Sequence, residues 1–372
     1  MSKIKIVFMM PSLSGGGTER FISILCSNIN FNDFDVTLAL VNIEGDYLSD
    51  IPSNVKIVKV GNSRVRNSIP KIIKYINNER PDILFTSLGQ FNLIISLISP
   101  LLNSHTKLVI RESISVSTAN KFKKMGFLYD LAYRFICSKI DNVVCQCEYM
   151  ANDLVGSYNF KRSNIKVINN PIDFKLIDSK ITKFNENTTS KYPENNECLK
   201  IIAAGRLEHQ KGFDILIKAL SNVERDFKLF IVGEGKDRAV LEGLVKDYKL
   251  TEKVKMLGHV SNPFPYFVDS DVYVLSSRYE GFPNVALEAC AIGLPLIAFD
   301  SPGGIKDIIS VENGILLDFS DDDEGCNVST LSRGVDEFLI SNYTPSKIKS
   351  EVHEKFQVEK IIRQYEDYFK SI

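Results

Sequence analysis

In the segment Gly205-Arg206-Leu207-Glu208-His209-Gln210-Lys211-Gly212, an arginine and a lysine bracket a turn between an apolar run and a helical pattern. A guanidinium grips a diphosphate as a fork and an ammonium as a point charge, so the pair suits a diphosphate at a strand end. Merely solvated turn residues would not need that placement. A second segment, Glu280-Gly281-Phe282-Pro283-Asn284-Val285-Ala286-Leu287-Glu288, follows the run Val272–Leu275. Gly281 permits a tight turn and Pro283 suits a first helical turn. The N–H groups of Asn284, Val285 and Ala286 are then expected to be free to face an anion. Glu280 precedes that helix and Glu288 lies on it. Carboxylates accept hydrogen bonds from hydroxyls and repel phosphate, which predicts sugar and ribose as their partners.

Three glycine turns add backbone approach. Gly233-Glu234-Gly235 and Ser301-Pro302-Gly303-Gly304 follow strand-like runs and are generic in isolation. Ser14-Gly15-Gly16-Gly17-Thr18-Glu19-Arg20 opens a helix directly after the first run, so Gly16 and Gly17 suit either an anion or a flexible turn. It is neither G-x-G-x-x-G nor G-x-x-x-x-G-K-[ST], so a dinucleotide fingerprint and a P-loop are both absent.

These turns need strands to carry them. Short β-branched runs alternate with helical-period segments, the pattern of parallel α/β domains. In the first half strands are expected at Ile4–Met10, Val36–Val41, Val55–Val60, Ile83–Thr86, Lys107–Ile110, Asn142–Cys145 and Ile165–Ile168. Helices are expected at Thr18–Asn28, Ile69–Asn77, Phe91–Leu101 and Phe122–Ser138. Asp178–Glu197 reads as a polar linker. The pattern restarts with strands at Leu199–Ala204, Lys228–Val232, Val254–Leu257, Val272–Leu275, Leu294–Ala298 and Ile315–Leu317, and helices at Phe213–Leu220, Lys236–Tyr248 and Asn284–Ala291. A last helix is expected over Val358–Phe369. Two Rossmann-like α/β domains are therefore predicted, facing across a cleft that collects the carboxyl ends of both sheets. The expected division is 1–171 plus 357–372, and 172–356.

The 372 residues, 44% hydrophobic and 24% charged, fit a soluble two-domain protein. Residues 1–170 carry 20 Lys and Arg against 13 Asp and Glu, and the remainder 25 against 33. The basic half either attracts phosphate or an anionic surface or reflects scattered lysines. Seven cysteines form no C-x-x-C pair, and no signal peptide is evident at the start, which points to a reducing cytoplasm. Ile83–Leu102 is apolar but interrupted by Gly89 and by polar and proline residues including Thr86, Ser87, Gln90, Asn92, Ser96 and Pro100, which favours a strand, turn and helix over a membrane span.

Taken together, the turn Gly205-Arg206…Lys211-Gly212 and the segment Glu280-Gly281-Phe282-Pro283-Asn284…Glu288-Ala289 resemble the retaining glycosyltransferases of glycosyltransferase family 4, of the bacterial surface-polysaccharide type with the GT-B fold. Glu280 and Glu288 match the family's E-x7-E motif. The glycine turn near the start, Asn169-Asn170-Pro171-Ile172-Asp173 and the last helix extend the resemblance over nearly the whole chain. It implies that Gly205, Arg206 and Lys211 hold the donor diphosphate, Glu280 the donor sugar and Glu288 the ribose. Gly281, Phe282, Pro283, Asn284 and Val285 would line the sugar and phosphate, with Gly16, Gly17 and Gly233 approaching the donor and His259 and Val260 near the base. The last helix would cross back to the first domain. Where many relatives carry a histidine, this sequence reads Val109-Ile110-Arg111-Glu112-Ser113. Glu112 would contact a substrate near the reacting carbon or pair with Arg111.

The resemblance implies transfer of a hexose or N-acetylhexosamine from a nucleotide sugar, UDP being the commoner base, to a glycan or polyprenyl-diphosphate-linked acceptor in O-antigen or capsule synthesis. No resident cofactor and no metal are expected, because Arg206, Lys211 and a helix N-terminus meet the leaving charge, and Asp321-Asp322-Asp323 reads as solvated. Lys121-Phe122-Lys123-Lys124-Met125-Gly126-Phe127-Leu128-Tyr129 suits either docking from the cytoplasm on an anionic membrane or a helix with its aromatic face in the core. Competing readings are a nucleotide-sugar epimerase and a non-catalytic binding module. Nucleic-acid binding is disfavoured by a pI near 6.5.

Overall fold

Runs of Val, Ile, Leu and Phe bounded by glycine and polar turns form two parallel sheets in the computed structural model, which describes residues 2–61, 64–122, 125–136, 140–185 and 198–372. The chain divides into one unit of Met1–Pro171 with Val358–Ile372 and a second of Ile172–Gln357. Gln357 belongs with the second unit, where it pairs with Ile172 in a parallel bridge.

The first unit contains β1 (Ile4–Met10), β2 (Phe34–Leu40), β3 (Lys56–Lys59), β4 (Ile83–Ser87), β5 (Lys107–Glu112), β6 (Asn142–Cys145) and β7 (Ile165–Val167). Their order is β3-β2-β1-β4-β5-β6-β7, all parallel. β1 lies centrally, with Ile6 between Val36 and Ile83. Residues Ile6 to Met10 are all fully buried, which explains a continuous apolar run rather than alternation. The second unit contains β8 (Leu199–Ala204), β9 (Phe227–Val232), β10 (Val254–Gly258), β11 (Val272–Leu275), β12 (Leu296–Phe299) and β13 (Gly314–Leu317), in the order β10-β9-β8-β11-β12-β13. Strand order thus reverses at β1/β4 in one sheet and at β8/β11 in the other. Such reversals open a crevice at the carboxyl ends of the strands.

The helix Val358–Ser371 returns to the first unit. It buries Val358, Ile361, Ile362, Tyr365 and Phe369, a stripe at helical spacing. The Phe369 ring lies 5.8 Å from Phe85 and 6.3 Å from both Phe8 and Phe34. Glu366 accepts the Asn30 amide at 2.7 Å and Lys370 pairs with Asp33 at 2.7 Å.

Several expectations are corrected. The helix expected over Phe122–Ser138 is found at Gly126–Ile136, and a separate short helix that was not expected, Val116–Lys121, precedes it. The backbone is so tight at Gly126 that a Cβ there would lie 2.0 Å from the Asn120 carbonyl. The expected linker from Asp178 begins inside the helix Phe174–Asn185, which Ile177 anchors in the core; 186–197 lies outside the described residues. Ile83–Leu102 is strand β4, the helix Gly89–Ile98 and a short 3-10 turn. Among the described residues no helix is long and apolar enough to cross a membrane.

Phe369→Ala removes the ring that joins the terminal helix to three sheet aromatics. We expect a loss of about 3–5 kcal/mol in the unfolding of the first unit, the usual range for a buried Phe truncation, measured by urea titration.

Candidate active site

The carboxyl ends of β8 and β11 meet at the strand-order reversal of the second sheet, and the two turns that carry the candidate residues leave from there. Backbone contact fixes the first turn. Gly233, just after β9, has φ 141°, and a Cβ on it would stand 1.9 Å from the Gly205 carbonyl oxygen. Gly212 closes the turn at φ 62°, with its would-be Cβ 2.0 Å from the Ser276 carbonyl. No side chain fits at either place, so glycine there is a steric requirement.

Hydrogen bonds stitch this turn to the loop after β11. Ser276 Oγ donates to the Lys211 carbonyl at 3.0 Å and the Arg278 amide to the Gln210 carbonyl at 2.8 Å. Gln210 Nε2 donates to the Tyr279 carbonyl at 3.0 Å. Across the seam Lys211 Nζ meets Glu280 Oε1 at 2.7 Å, and Ser277 Oγ donates to the same oxygen at 2.6 Å. Glu280 is 8% exposed in its side chain and Lys211 18%. Arg206 stands apart, with its side chain 72% exposed and its nearest carboxylate, that of Glu208, at 3.8 Å. One cation is therefore fixed against a carboxylate and the other reaches solvent from the same turn.

The remaining candidates of the second unit follow the sheet order. Glu280 lies after β11, Arg206 and Lys211 after β8, Gly233 after β9, and His259 and Val260 after β10. The sites occupy four consecutive strand ends and span about 14 Å at the usual strand spacing. His259 is exposed and Val260 half-buried. Glu288 is buried on the helix Asn284–Ala291. One expectation fails at that helix. The Asn284 amide donates to the Phe282 carbonyl at 2.9 Å and the Ala286 amide to the Pro283 carbonyl at 3.0 Å, so these two are not free for an anion. Phe282 turns its ring into the core, 5.8 Å from Phe356, which leaves only its backbone for a ligand. The loop after β12 braces the segment, with Glu280 N donating to the Pro302 carbonyl at 2.8 Å.

With this geometry in view, comparison with known proteins is decisive. Residues 15–176 match the model described as Glycosyltransferase Family 4, and residues 184–353 the model described as Glycosyl transferases group 1. The amylovoran biosynthesis glycosyltransferase AmsD of Erwinia amylovora is 30% identical over 320 residues, covering 85% of this chain and 86% of that one. This chain belongs to glycosyltransferase family 4. A Campylobacter jejuni relative, named as an N-acetylgalactosaminyltransferase acting on a diphospho-undecaprenol-linked saccharide, is 27% identical over 84% of the chain and 86% of its own length. Among solved structures, Anabaena HepE in complex with UDP and glucose aligns with TM-score 0.78 at 17% identity, covering 99% of this chain and 100% of that one. The fold of this glycosyltransferase is accordingly GT-B, two Rossmann-like domains.

In the first unit of the glycosyltransferase, Arg111 and Glu112 leave β5 on opposite faces, as neighbours on a strand do. The expected alternative of a pair between them gives way to two separate networks. Arg111, fully buried, donates to Ser87 Oγ and Tyr365 Oη at 3.2 Å and to Asn170 Oδ1. With the Gln146 amide oriented to satisfy both partners, its oxygen accepts from the same guanidinium at 2.9 and 3.1 Å, and the Phe21 ring lies 3.7 Å beneath it. Burial pulls the Arg111 pKa down, opposed by Tyr365. Glu112 Oε1 accepts from Asn92 Nδ2 at 3.0 Å and Tyr133 Oη at 3.1 Å. Burial and then Glu112 hold the Tyr133 hydroxyl well above its usual pKa, so it stays a donor. Leu88, at the end of β4 beside this pocket, has φ 97°, a conformation rare for a branched side chain.

Gly16 caps the helix Gly17–Asn28, but Glu19 curls back over it, and a Cβ on Gly16 would lie 2.4 Å from Glu19 Oε2. Burial raises the Glu19 pKa, partly offset by its own backbone hydrogen bond. The glycine turn thus already holds a carboxylate. Asp323, expected to be only solvated, accepts the Cys326 amide at 2.9 Å and caps the helix Glu324–Glu337. Among the described residues no group of three His, Cys, Asp or Glu side chains is placed to hold a metal ion.

Sequence reasoning missed Arg278. Its Nη1 and Nη2 each meet Asp214 at 2.7 Å, Nη1 also donates to the His209 carbonyl at 2.9 Å, and Nη2 reaches Glu324 at 2.9 Å. Only its place two residues before Glu280 hinted at it. Burial pushes the Asp214 carboxyl up, and the hydrogen bonds and charge of Arg278 outweigh that and hold it below its ordinary 3.8. A depressed folded-state pKa contributes stability above the unfolded value, and that stability is lost as pH falls through the folded one. The stability difference between the parent and Asp214→Asn should be constant from neutral pH down to about pH 5 and shrink below about pH 4, read from urea midpoints across pH.

Proposed function

We propose that this glycosyltransferase moves a hexose or N-acetylhexosamine, with retention, from a UDP-sugar to a lipid-linked saccharide in bacterial surface-polysaccharide synthesis. The observation that carries the reading is the Lys211–Glu280 ion pair at the β8/β11 reversal, with exposed Arg206 on the same turn. The donor lies along the four strand ends in this reading. Its sugar hydroxyls face Glu280, its ribose Glu288, its diphosphate Gly205, Arg206 and Lys211, and its base His259 and Val260. Gly233, Gly281 and the backbone of Phe282 to Val285 supply close approach. The name of the Campylobacter relative supports the lipid-linked acceptor class.

As the bond from the anomeric carbon to the diphosphate breaks, negative charge collects on the departing oxygens. Cations already fixed in place stabilise that charge without reorganising. Lys211 meets this condition because Glu280 and the turn hold it, and Arg206 adds a fork from solvent. In the front-face displacement proposed here, the acceptor oxygen bonds to the anomeric carbon from the side the diphosphate leaves. The departing phosphate oxygen takes the acceptor's proton. Two protein cations meet the leaving charge, so the reaction as drawn uses no divalent metal.

Lys211→Ala should lower transfer by at least about 100-fold, the scale of removing one electrostatic stabiliser, while circular dichroism shows the fold intact. The parent should keep its rate in EDTA. Undiminished transfer by the variant would sink the diphosphate assignment.

The enzyme is further proposed to dock on an anionic membrane through the helix Gly126–Ile136. Its aromatic face is not in the core, contrary to one of the two expectations. Phe127, Leu131 and Phe135 are 69%, 64% and 57% exposed at i, i+4 and i+8, with Phe122 and Met125 just before them. The opposite side is pinned by buried Tyr133 and Ile136. Exposed Lys121 and Arg134 provide positive charge beside this face. Such a face gains from burial at the acyl boundary and from anionic headgroups. Changing Phe127, Leu131 and Phe135 together to Ser should reduce co-sedimentation with phosphatidylglycerol vesicles by at least about tenfold, since each buried side chain contributes about 1.5–3 kcal/mol. Equal sedimentation of parent and variant would overturn the docking surface.

A further inference from the structure

The two turns that supply the proposed donor site come from places far apart in the chain, and chain connectivity does not hold them in register. The Ser276, Gln210 and Arg278 bonds described above join them, and beside the Lys211–Glu280 pair a second charged contact spans the same seam. Arg278 leaves the loop that carries Glu280 and forks onto Asp214, at the start of the helix that the Lys211 turn leads into. It also donates to the His209 carbonyl, inside that turn. Glu324 extends the cluster to the helix Glu324–Glu337 and ties in Lys218.

We propose that Arg278 is the positioning residue of the donor site, setting the turn that carries Arg206 and Lys211 against the loop that carries Glu280. The inference rests on the donor-site reading given under the proposed function. The two arginines divide the work. The Arg278 guanidinium, 11% exposed, is spent on four protein acceptors, so it is not the fork that meets a phosphate. Arg206, 72% exposed, has the free reach. The cluster of Arg278, Lys218, Asp214 and Glu324 carries two charges of each sign. It adds little net field at the diphosphate, and its influence is therefore geometric. A lysine at 278 keeps the charge and loses the fork, which separates the two contributions.

The full chain and its Arg278→Lys, Arg278→Ala, Lys211→Ala and Lys211→Ala/Arg278→Lys variants are compared at a temperature well below unfolding, with UDP and GDP as probes in calorimetry and with donor-sugar kinetics. Arg278→Lys should weaken binding of the nucleotide about tenfold and lower kcat/KM by about 10- to 100-fold, as small misplacements of a binding group do. Its melting temperature should stay within a few degrees of the parent, and Arg278→Ala should bind more weakly still. In the Lys211→Ala background the same Arg278→Lys change should cost much less affinity, because the cation it positions is gone. Parent-like affinity in Arg278→Lys and Arg278→Ala, or a full additive loss in the double variant, would overturn the positioning role and leave the donor site standing. Failure of the parent itself to bind either nucleotide would overturn the donor-site reading, and this proposal with it.

Discussion

At the end of β9 the backbone passes so close to the end of β8 that a single methyl group on Gly233 would overlap the Gly205 carbonyl, at 1.9 Å. Much of the second unit's chemistry depends on that contact. Because the strand ends touch through backbone, the turn from Gly205 to Gly212 is placed by the sheet and not by its own flexible side chains. Gly212 repeats the device against Ser276. Lys211, fixed between these two contacts, reaches Glu280 with little freedom left to lose. A residue already ordered by its surroundings forms its contacts at a smaller entropy cost.

The first unit solves a different problem with a buried cation. Arg111 is held by neutral oxygens from Ser87, Asn170, Tyr365 and Gln146 and by the face of Phe21. These groups come from β4, the segment just before the unit boundary, the returning helix, the residue after β6 and the helix Gly17–Asn28. A charge in the interior is tolerated only when its donors are satisfied. Satisfying this guanidinium requires all five elements in place at once. The returning helix is therefore more than an apolar lid, since Tyr365 contributes both to the core and to this polar cluster. Glu112, on the other face of the same strand, is left to the Asn92 and Tyr133 pocket.

Both sheets, their strand-end turns and the returning helix were legible in the sequence, because buried parallel strands read as β-branched runs and glycine punctuates their ends. What escaped depended on particular side-chain and backbone contacts, near and far in the chain, that periodicity does not encode. The amides of Asn284 and Ala286 looked free until their carbonyl acceptors were placed, and those arise from the tight turn at Phe282 and Pro283. Arg278 looked like a loop residue, since Asp214 and Glu324 lie 64 and 46 positions away. Glu19 drew no reading from the sequence, and the placing of its side chain sets it over Gly16. The segment Lys121–Tyr129 fitted either a core helix or a membrane-docking face by composition. Periodicity alone does not reveal which of two possible faces a helix buries, and Tyr133 and Ile136 decided it.

The resting arrangement of charge at β8/β11 also bears on how a ligand is received. Lys211 and Glu280 neutralise one another across 2.7 Å, so neither stands as an uncompensated charge in a nearly buried place. Arg206 keeps its charge in water, with the Glu208 carboxylate 3.8 Å away. In the proposed donor-site reading, an incoming diphosphate would meet Arg206 first, in the screened and adaptable environment of the surface, and then Lys211, where the lower dielectric would strengthen the interaction. A carboxylate that shares Lys211 with the anion is relieved of part of its partner and becomes a stronger acceptor for hydroxyls. One ion pair can in this way couple the anionic and the polyol portions of a single ligand. In that reading, splitting the two cations between surface and interior would serve both capture and orientation, with Glu280 compensating the interior charge.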